Sequence, residues 1–284
     1  MSNDTHRPVV LITGASSGIG EALAIEFSRR GADLVLAARR EDRLKAIAER
    51  VSKDGTRVVF RRCDTSLDGD LEQVVLLAES TFGKIDTVIA NAGFGIEAPF
   101  EELTLEDYRR QFETNVFGVL RTLYATLDPM KKSRGRVVVI GSVLGHFAPP
   151  DASPYAMSKF AIRALCESIR LEFAPYGISV TLISPGFIAS EFRKVDRMGQ
   201  MIATRPETAP RALLMPTDLA ARKIVRAIEN RKREAIITVH GQLAVFFRYA
   251  FPRLVSVIME RARAQVQKAR NPSPCNKEQG NRAE

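Results

Sequence analysis

Residues 13–20 read Thr-Gly-Ala-Ser-Ser-Gly-Ile-Gly and join an apolar run, Val9–Thr13, to an amphipathic stretch, Ile19–Arg30. Three glycines between a first strand and a first helix leave few folds open. Glycine allows a sharp turn, lets backbone approach a ligand closely, and lets the helix sit against the strand. The helix that follows directs its unpaired N–H groups and its positive dipole end at whatever lies in the turn. Gly14, Ser16, Ser17, Gly18, Ile19 and Gly20 are therefore expected to cradle a pyrophosphate.

The remainder of the chain supports a parallel sheet around that turn. Short apolar runs recur at Asp33–Ala38, Arg57–Cys63, Ile85–Ala90, Arg136–Ser142, Ile178–Ser184 and Ala235–Thr238. Several are nearly continuous Val, Ile and Leu, as expected for strands covered on both faces. Between them lie helical stretches at Arg43–Lys53, Leu71–Thr81, Leu105–Leu127 and Pro154–Pro175. Alternation of this kind predicts an α/β fold: one doubly wound, parallel-sheet Rossmann domain over residues 1–240. A polar segment at 187–216, bearing Met198, Met201 and Met215, is expected to form a substrate lid. Residues 241–270 read as an apolar and basic C-terminal helical extension, and 271–284 as a disordered tail.

The second strand ends Ala37-Ala38-Arg39-Arg40. A carboxylate there would bind ribose hydroxyls and repel a 2′-phosphate, whereas Arg39 and Arg40 suit a phosphate dianion. The expected cofactor is NADP(H) in preference to NAD(H).

Ala90-Asn91-Ala92-Gly93 closes the fourth strand, and Asn115 lies in a long helix. Ser142 ends the fifth strand, at the edge where open α/β sheets keep their sites. Tyr155 and Lys159 are one helical turn apart on one face. Together with the glycine turn, these motifs resemble the short-chain dehydrogenase/reductase family over roughly residues 8–240. The separations agree: 27 positions from Asn115 to Ser142, and 13 from Ser142 to Tyr155.

The resemblance implies an oxidoreductase that moves hydride between nicotinamide and a carbonyl or alcohol. Tyr155 would be the general acid or base. Lys159 would hold the nicotinamide ribose and lower the phenol's pKa. Ser142 would bind the substrate oxygen, and Asn115 would support a proton relay to Lys159. Asp64 matches the residue facing adenine, and Asn91, Ala92 and Gly93 the segment beside the adenosine. Pro185, Gly186 and Ile188 belong to the segment touching the carboxamide. Ser190 stands where the family usually carries threonine, with the hydroxyl kept. The electrostatics agree in size. Bringing a phenol from pKa 10 to near neutrality takes about 4 kcal/mol, and one cation about 5 Å away supplies roughly 3 kcal/mol at a dielectric near 20, so Lys159 together with oxidised nicotinamide could suffice. No metal is required, because Ser142 and Tyr155 can polarise a carbonyl by hydrogen bonding.

Composition narrows the setting. Cys63, Cys166 and Cys275 form neither a CxxC pair nor an even set, which argues against a disulfide framework or zinc site. The N-terminus carries no charged-then-apolar leader, so a cytoplasmic location is expected. Residues 191–284 hold 19 Lys/Arg against 9 Asp/Glu, and residues 1–190 hold 23 against 24. No recognition module accompanies the basic third, so nucleic acid is not an expected partner. Leu243–Met259 is broken by Arg248, Pro252 and Arg253 and is too short and charged for a comfortable membrane span. Two roles stay open to it: cover for the pocket or a second subunit, or peripheral insertion at a membrane interface. The family resemblance implies a homodimer or homotetramer acting on a small, apolar carbonyl or alcohol. An epimerase or dehydratase, or a non-catalytic NADP sensor, would carry the same motifs. His146 reads as pocket wall or surface loop, Cys166 as core, and His6 and His240 belong to no visible constellation.

Overall fold

The computed structural model describes residues 7–270 apart from 54, 199, 201, 203 and 205–208, with side chains described to Arg261. Seven strands are described: β1 Val9–Thr13, β2 Asp33–Ala38, β3 Val58–Arg62, β4 Thr87–Ala90, β5 Arg136–Ile140, β6 Ser179–Ser184 and β7 Glu234–Ile236. All pair in parallel, in the order β3-β2-β1-β4-β5-β6-β7. The order reverses between β1 and β4, and the crevice at that switch point is where such sheets bind ligands.

Alternation along the strands divides the core in two. Val10 and Ile12 face a layer containing Leu23, Phe27, Leu44, Ile224 and Ile228. Val9 and Leu11 face Leu71, Val74, Leu123 and Ile162. The first layer is supplied by α1 Gly18–Arg29, α2 Glu41–Ser52 and α7 Thr217–Glu229. The second comes from α3 Asp70–Phe82, α5 Gly118–Ser133 and α6 Ser153–Phe173. Each Leu or Ile so enclosed is worth about 1.5–3 kcal/mol relative to an exposed position. Cys63 and Cys166 are free, buried thiols within the second layer, and burial pushes both up to about 12.

The expected helix Leu105–Leu127 is interrupted. It comprises α4 Leu105–Phe112, a π-helical turn over Glu113–Phe117, and then α5. Thr104 and Asp107 form a reciprocal capping box that fixes its start.

The chain divides into two compact units after Gln242. The boundary falls within α8 Val239–Ala250, which runs up to a break at Phe251, and α9 Pro252–Arg270 leaves it at a bend of 115°. Phe246, Phe247 and Phe251 make ring contacts at 5.6 and 6.1 Å. Among the described residues no single helix is long and apolar enough to cross a membrane, although the bent pair together has the length and composition. His6, Met201, Cys275 and the tail 271–284 lie outside the described residues.

Candidate active site

The glycine turn occupies the carboxyl end of β1. Gly14 has φ +63°, a left-handed conformation that L side chains rarely adopt. A Cβ on Gly20 would fall 2.3 Å from the Gly14 carbonyl oxygen and 2.7 Å from Asn91 Nδ2. Gly20 is thus what allows α1 to pack directly against the turn. Ser17 precedes α1 but makes no side-chain cap hydrogen bond. The first-turn N–H groups of the helix, from Gly18, Ile19 and Gly20, therefore point into the turn without a side chain to cap them, which is the arrangement a phosphate needs.

Thr13 ties this turn to β4. Its hydroxyl accepts from the backbone N–H groups of Asn91 (3.0 Å) and Ala92 (3.2 Å) and donates to the Ile89 carbonyl at 3.4 Å. Asn91 Nδ2 donates to the Thr13 and Gly14 carbonyls at 2.9 and 3.1 Å. Asn91 and Ala92 therefore act first as struts of the cradle. The Asp64 carboxylate accepts from the backbone N–H and hydroxyl of Ser66 at 3.0 and 2.7 Å, which shapes the loop after β3.

At the end of β2, Arg39 is exposed. Arg40 turns toward the cradle, its Nε donating to Ser16 Oγ at 3.4 Å. A third guanidinium, Arg43 in α2, stands with Arg40 around one carboxylate, Glu191, at 3.5 and 3.2 Å. Two guanidinium groups thus share one carboxylate, and one of them also reaches the glycine turn.

The catalytic candidates converge at the ends of β5 and α6. Ser142 caps a short 3-10 turn, Val143–Gly145, accepting from Leu144 N–H at 3.1 Å. The Tyr155 phenol lies near enough to Ser142 for that hydroxyl to act against the rise in its pKa. Lys159 lies with its Nζ 5.6 Å from the Tyr155 ring centre and donates to the Ile140 carbonyl at 2.8 Å. Asn115, fully buried in the π-helical turn, donates to the Phe94 carbonyl (3.0 Å) and Ser158 Oγ (3.1 Å) and accepts from Phe94 N–H (3.1 Å). Ser158 in turn donates to the Tyr155 carbonyl at 2.7 Å. Asn115 also approaches Gly93, where a Cβ would meet its Oδ1 at 3.0 Å.

Burial dominates at the phenol and pushes Tyr155 up to about 12, with Ser142 opposing it. Burial likewise lowers Lys159 to about 8. Phe192 contributes to the enclosure of the phenol: its ring lies 5.5 Å from the Tyr155 ring and 3.1 Å from where a Cβ on Gly95 would be.

Phe192 belongs to a short 3-10 turn, Glu191–Lys194, in the segment after β6. That segment leaves through Pro185, whose carbonyl accepts from Val143 N–H at 3.0 Å, and Gly186. Ile188 pairs with Met215, so the two ends of the loop meet. Ser190 sits over Gly18, within 3.2 Å of the position of a Cβ there.

Two histidines differ from their sequence readings. His146 is buried rather than at the surface and bonds Glu234 of β7 at 2.7 Å; Glu234 also accepts from Ser184 at 2.8 Å. His240 does have partners. Its Nε2 accepts from Phe187 N–H at 3.1 Å, its ring stacks on Phe187 at 5.5 Å, and it leaves no room for a Cβ on Gly186. Glu191, Phe192 and Arg43 were not singled out in the sequence. Phe192 is the one aromatic residue between 188 and 216, a signal that could have marked it. Among the described residues no group of three or more His, Cys, Asp or Glu could hold a metal ion.

Residues 8–201 match the family described as short chain dehydrogenase. The chain is 39% identical over 244 residues to an 11-beta-hydroxysteroid dehydrogenase A of Sesamum indicum, covering 82% of this chain and 68% of that protein. It is 32% identical over 274 residues to the uncharacterized oxidoreductase YxnA of Bacillus subtilis, covering 93% and 75%. An alcohol dehydrogenase from the archaeon Thermococcus sibiricus, solved with 5-hydroxy-NADP, superposes with TM-score 0.73 at 30% identity, covering 82% of this chain and 97% of the other. A short chain dehydrogenase/reductase from Burkholderia phymatum, solved with NAD, superposes with TM-score 0.79 at 25% identity, covering 87% and 95%.

Proposed function

Because this chain belongs to the short-chain dehydrogenase/reductase family of oxidoreductases, we propose that it is an NADP(H)-dependent enzyme interconverting an apolar, steroid-like or lipid-like ketone and its secondary alcohol. The observation that carries the reading is the convergence of Ser142, Tyr155 and Lys159, with the Lys159 Nζ 5.6 Å from the phenol ring, at the carboxyl edge of the sheet that also bears the glycine turn. Arg40 and Arg43 support the choice of a cofactor bearing a 2′-phosphate. Phe187, Phe192 and Met215 give the lid an apolar character suited to such a substrate, and the sesame relative bears a hydroxysteroid dehydrogenase name.

The turn from Gly14 to Gly20 and the first turn of α1 would hold the pyrophosphate, Ser190 would cover it, and Lys159 would hold the nicotinamide ribose. When bound, the nicotinamide supplies or accepts the hydride. Ser142 Oγ donates a hydrogen bond to the substrate oxygen and holds it against the phenol. Tyr155, protonated at neutral pH, gives its proton to that oxygen in the reductive direction. Lys159, with its pKa lowered to about 8, is a readier proton source for the resulting phenolate than an ordinary lysine. Asn115 keeps the π-helical turn, Ser158 and the Tyr155 backbone in register. In oxidation the same phenol acts as base, which requires Phe192 to leave its ring.

A panel of ketones and alcohols, followed at the NADPH absorbance, tests the reading. Tyr155→Phe should lower kcat by roughly 10²–10⁴-fold while NADPH binding changes little. Turnover close to that of the unaltered enzyme would remove Tyr155 from its role.

A further inference from the structure

Glu191 is the residue whose surroundings the catalytic scheme leaves unused. It is the first residue of the short turn in the lid. Its two carboxylate oxygens meet two different guanidinium groups: Oε2 lies 3.2 Å from Arg40 Nη1 and Oε1 lies 3.5 Å from Arg43 Nη2. Arg40 simultaneously reaches Ser16 in the glycine turn. The next residue, Phe192, lies on the catalytic phenol. Arg193 follows, donating to the Ile188 carbonyl at 3.1 Å and stacking over the Phe187 ring. One turn of 3-10 helix thus bridges the adenosine-side arginines and the reacting end of the site.

A carboxylate between two guanidinium groups occupies the position that a phosphate would take. We propose that Glu191 is a latch competing with the cofactor's 2′-phosphate for Arg40 and Arg43, so that arrival of the phosphate releases Glu191 and with it lifts Phe192 from Tyr155. The inference rests on the NADP(H) reading above and adds a specificity-determining residue to it. The competition is uneven in the required direction. A phosphate monoester carries about −1.5 to −2 charges at neutral pH against one for a carboxylate. The latch itself is half-open to solvent, with side chains between 35% and 50% exposed, so it is weak enough to be displaced. A dinucleotide lacking the phosphate fills the same cradle without disturbing Glu191, and Phe192 then stays over the phenol.

The test uses the full chain and two readouts. Dissociation constants for NADPH and NADH, by calorimetry, are compared for the unaltered protein and Glu191→Gln. Removing the competing charge should tighten NADPH about threefold to fivefold, the worth of an exposed ion pair, and leave NADH unchanged. Hydrogen exchange of residues 187–198 is then followed with 2′,5′-ADP or with 5′-AMP, neither of which carries nicotinamide. 2′,5′-ADP should speed exchange there in the unaltered protein, 5′-AMP should not, and Glu191→Gln should exchange fast without either. Weaker NADPH binding by Glu191→Gln, equal tightening of NADPH and NADH, or exchange indifferent to 2′,5′-ADP would each overturn the latch. A preference for NADPH that Glu191→Gln leaves untouched removes the latch alone. Equal affinity of the unaltered protein for NADPH and NADH removes the cofactor assignment and the latch with it.

Discussion

Lys159 is an ammonium group enclosed by protein, donating to the Ile140 carbonyl and displaced from an ordinary pKa of 10.5 to about 8. Between those values the unfolded chain keeps a proton that the folded chain has lost. Stability should therefore rise with pH from about 8 to about 10.5, and below pH 8 the whole penalty, about 3 kcal/mol, is present. Tyr155 acts in the opposite sense at higher pH: the folded phenol keeps its proton up to about 12, whereas the unfolded one loses it near 10. Lys159→Met isolates the first effect. The stability of the native enzyme minus that of the variant, from urea unfolding, should climb by about 3 kcal/mol between pH 8 and pH 10.5. A difference that stays flat would mean that the ammonium is not desolvated. At this scale the sequence was half legible. Tyr155, Lys159 and Ser142 could be found because helical spacing and a strand end place them, whereas the burial that raises the phenol could not, since it comes from tertiary neighbours such as Phe192, 37 positions away in the chain.

Helices and strands were easier to read, because an element is fixed by periodicity that many residues share. The strands expected at Val9–Thr13 and Asp33–Ala38 coincide with β1 and β2, and the others differ only at their ends, where side-chain pattern says little about ladder hydrogen bonds. The interruption in Leu105–Leu127 was invisible for a physical reason. Glu113–Phe117 contains no proline or glycine, and its apolar spacing suits an unbroken helix. What widens it is tertiary: Asn115 must reach both polar groups of Phe94 and Ser158, while Gln111 holds Ile96 N–H and the Phe94 carbonyl, each at 2.7 Å. Two adjacent amide side chains thereby clamp the loop that follows β4. Asn115→Ala strips three hydrogen bonds from buried groups and should lower stability by about 1–3 kcal/mol. Asn115→Asp, which keeps an acceptor for Phe94 N–H but faces the Phe94 carbonyl with an oxygen, should not restore it. Urea midpoints of the two variants check this, and a midpoint unchanged by Asn115→Ala would show the clamp to be dispensable.

Across the whole catalytic unit, the two edges of the sheet carry different tasks. The carboxyl edge holds the glycine turn, Arg40, Asn91, Ser142 and Gly186, one from each of β1, β2, β4, β5 and β6. The amino edge is closed by carboxylates of another kind. Asp33, fully buried, binds Arg57 through its backbone N–H (3.2 Å) and Nε (2.8 Å), and pairs with Arg7. Asp86 accepts from Val9 N–H at 2.8 Å and pairs with Lys84 at 2.6 Å. In the sequence such residues look like ordinary loop charges beside strands, because their role comes from which strands become neighbours. Separation of tasks implies separable defects. Asp33→Asn keeps size and shape but weakens three contacts around a buried group, so stability should fall by about 1–3 kcal/mol. NADPH affinity and kcat of the folded fraction should stay within about twofold, since no residue of that cluster borders the cradle. Arg40→Ala should do the reverse. Its ion pair with Glu191 is partly exposed and its contact with Ser16 is long, so stability should change by less than about 0.5 kcal/mol, while NADPH binds more weakly and NADH does not. Measuring both properties in both variants decides the matter: an Asp33→Asn enzyme that unfolds normally yet loses NADPH would mean that the two edges are coupled through the strands, and that the sheet transmits strain instead of isolating it.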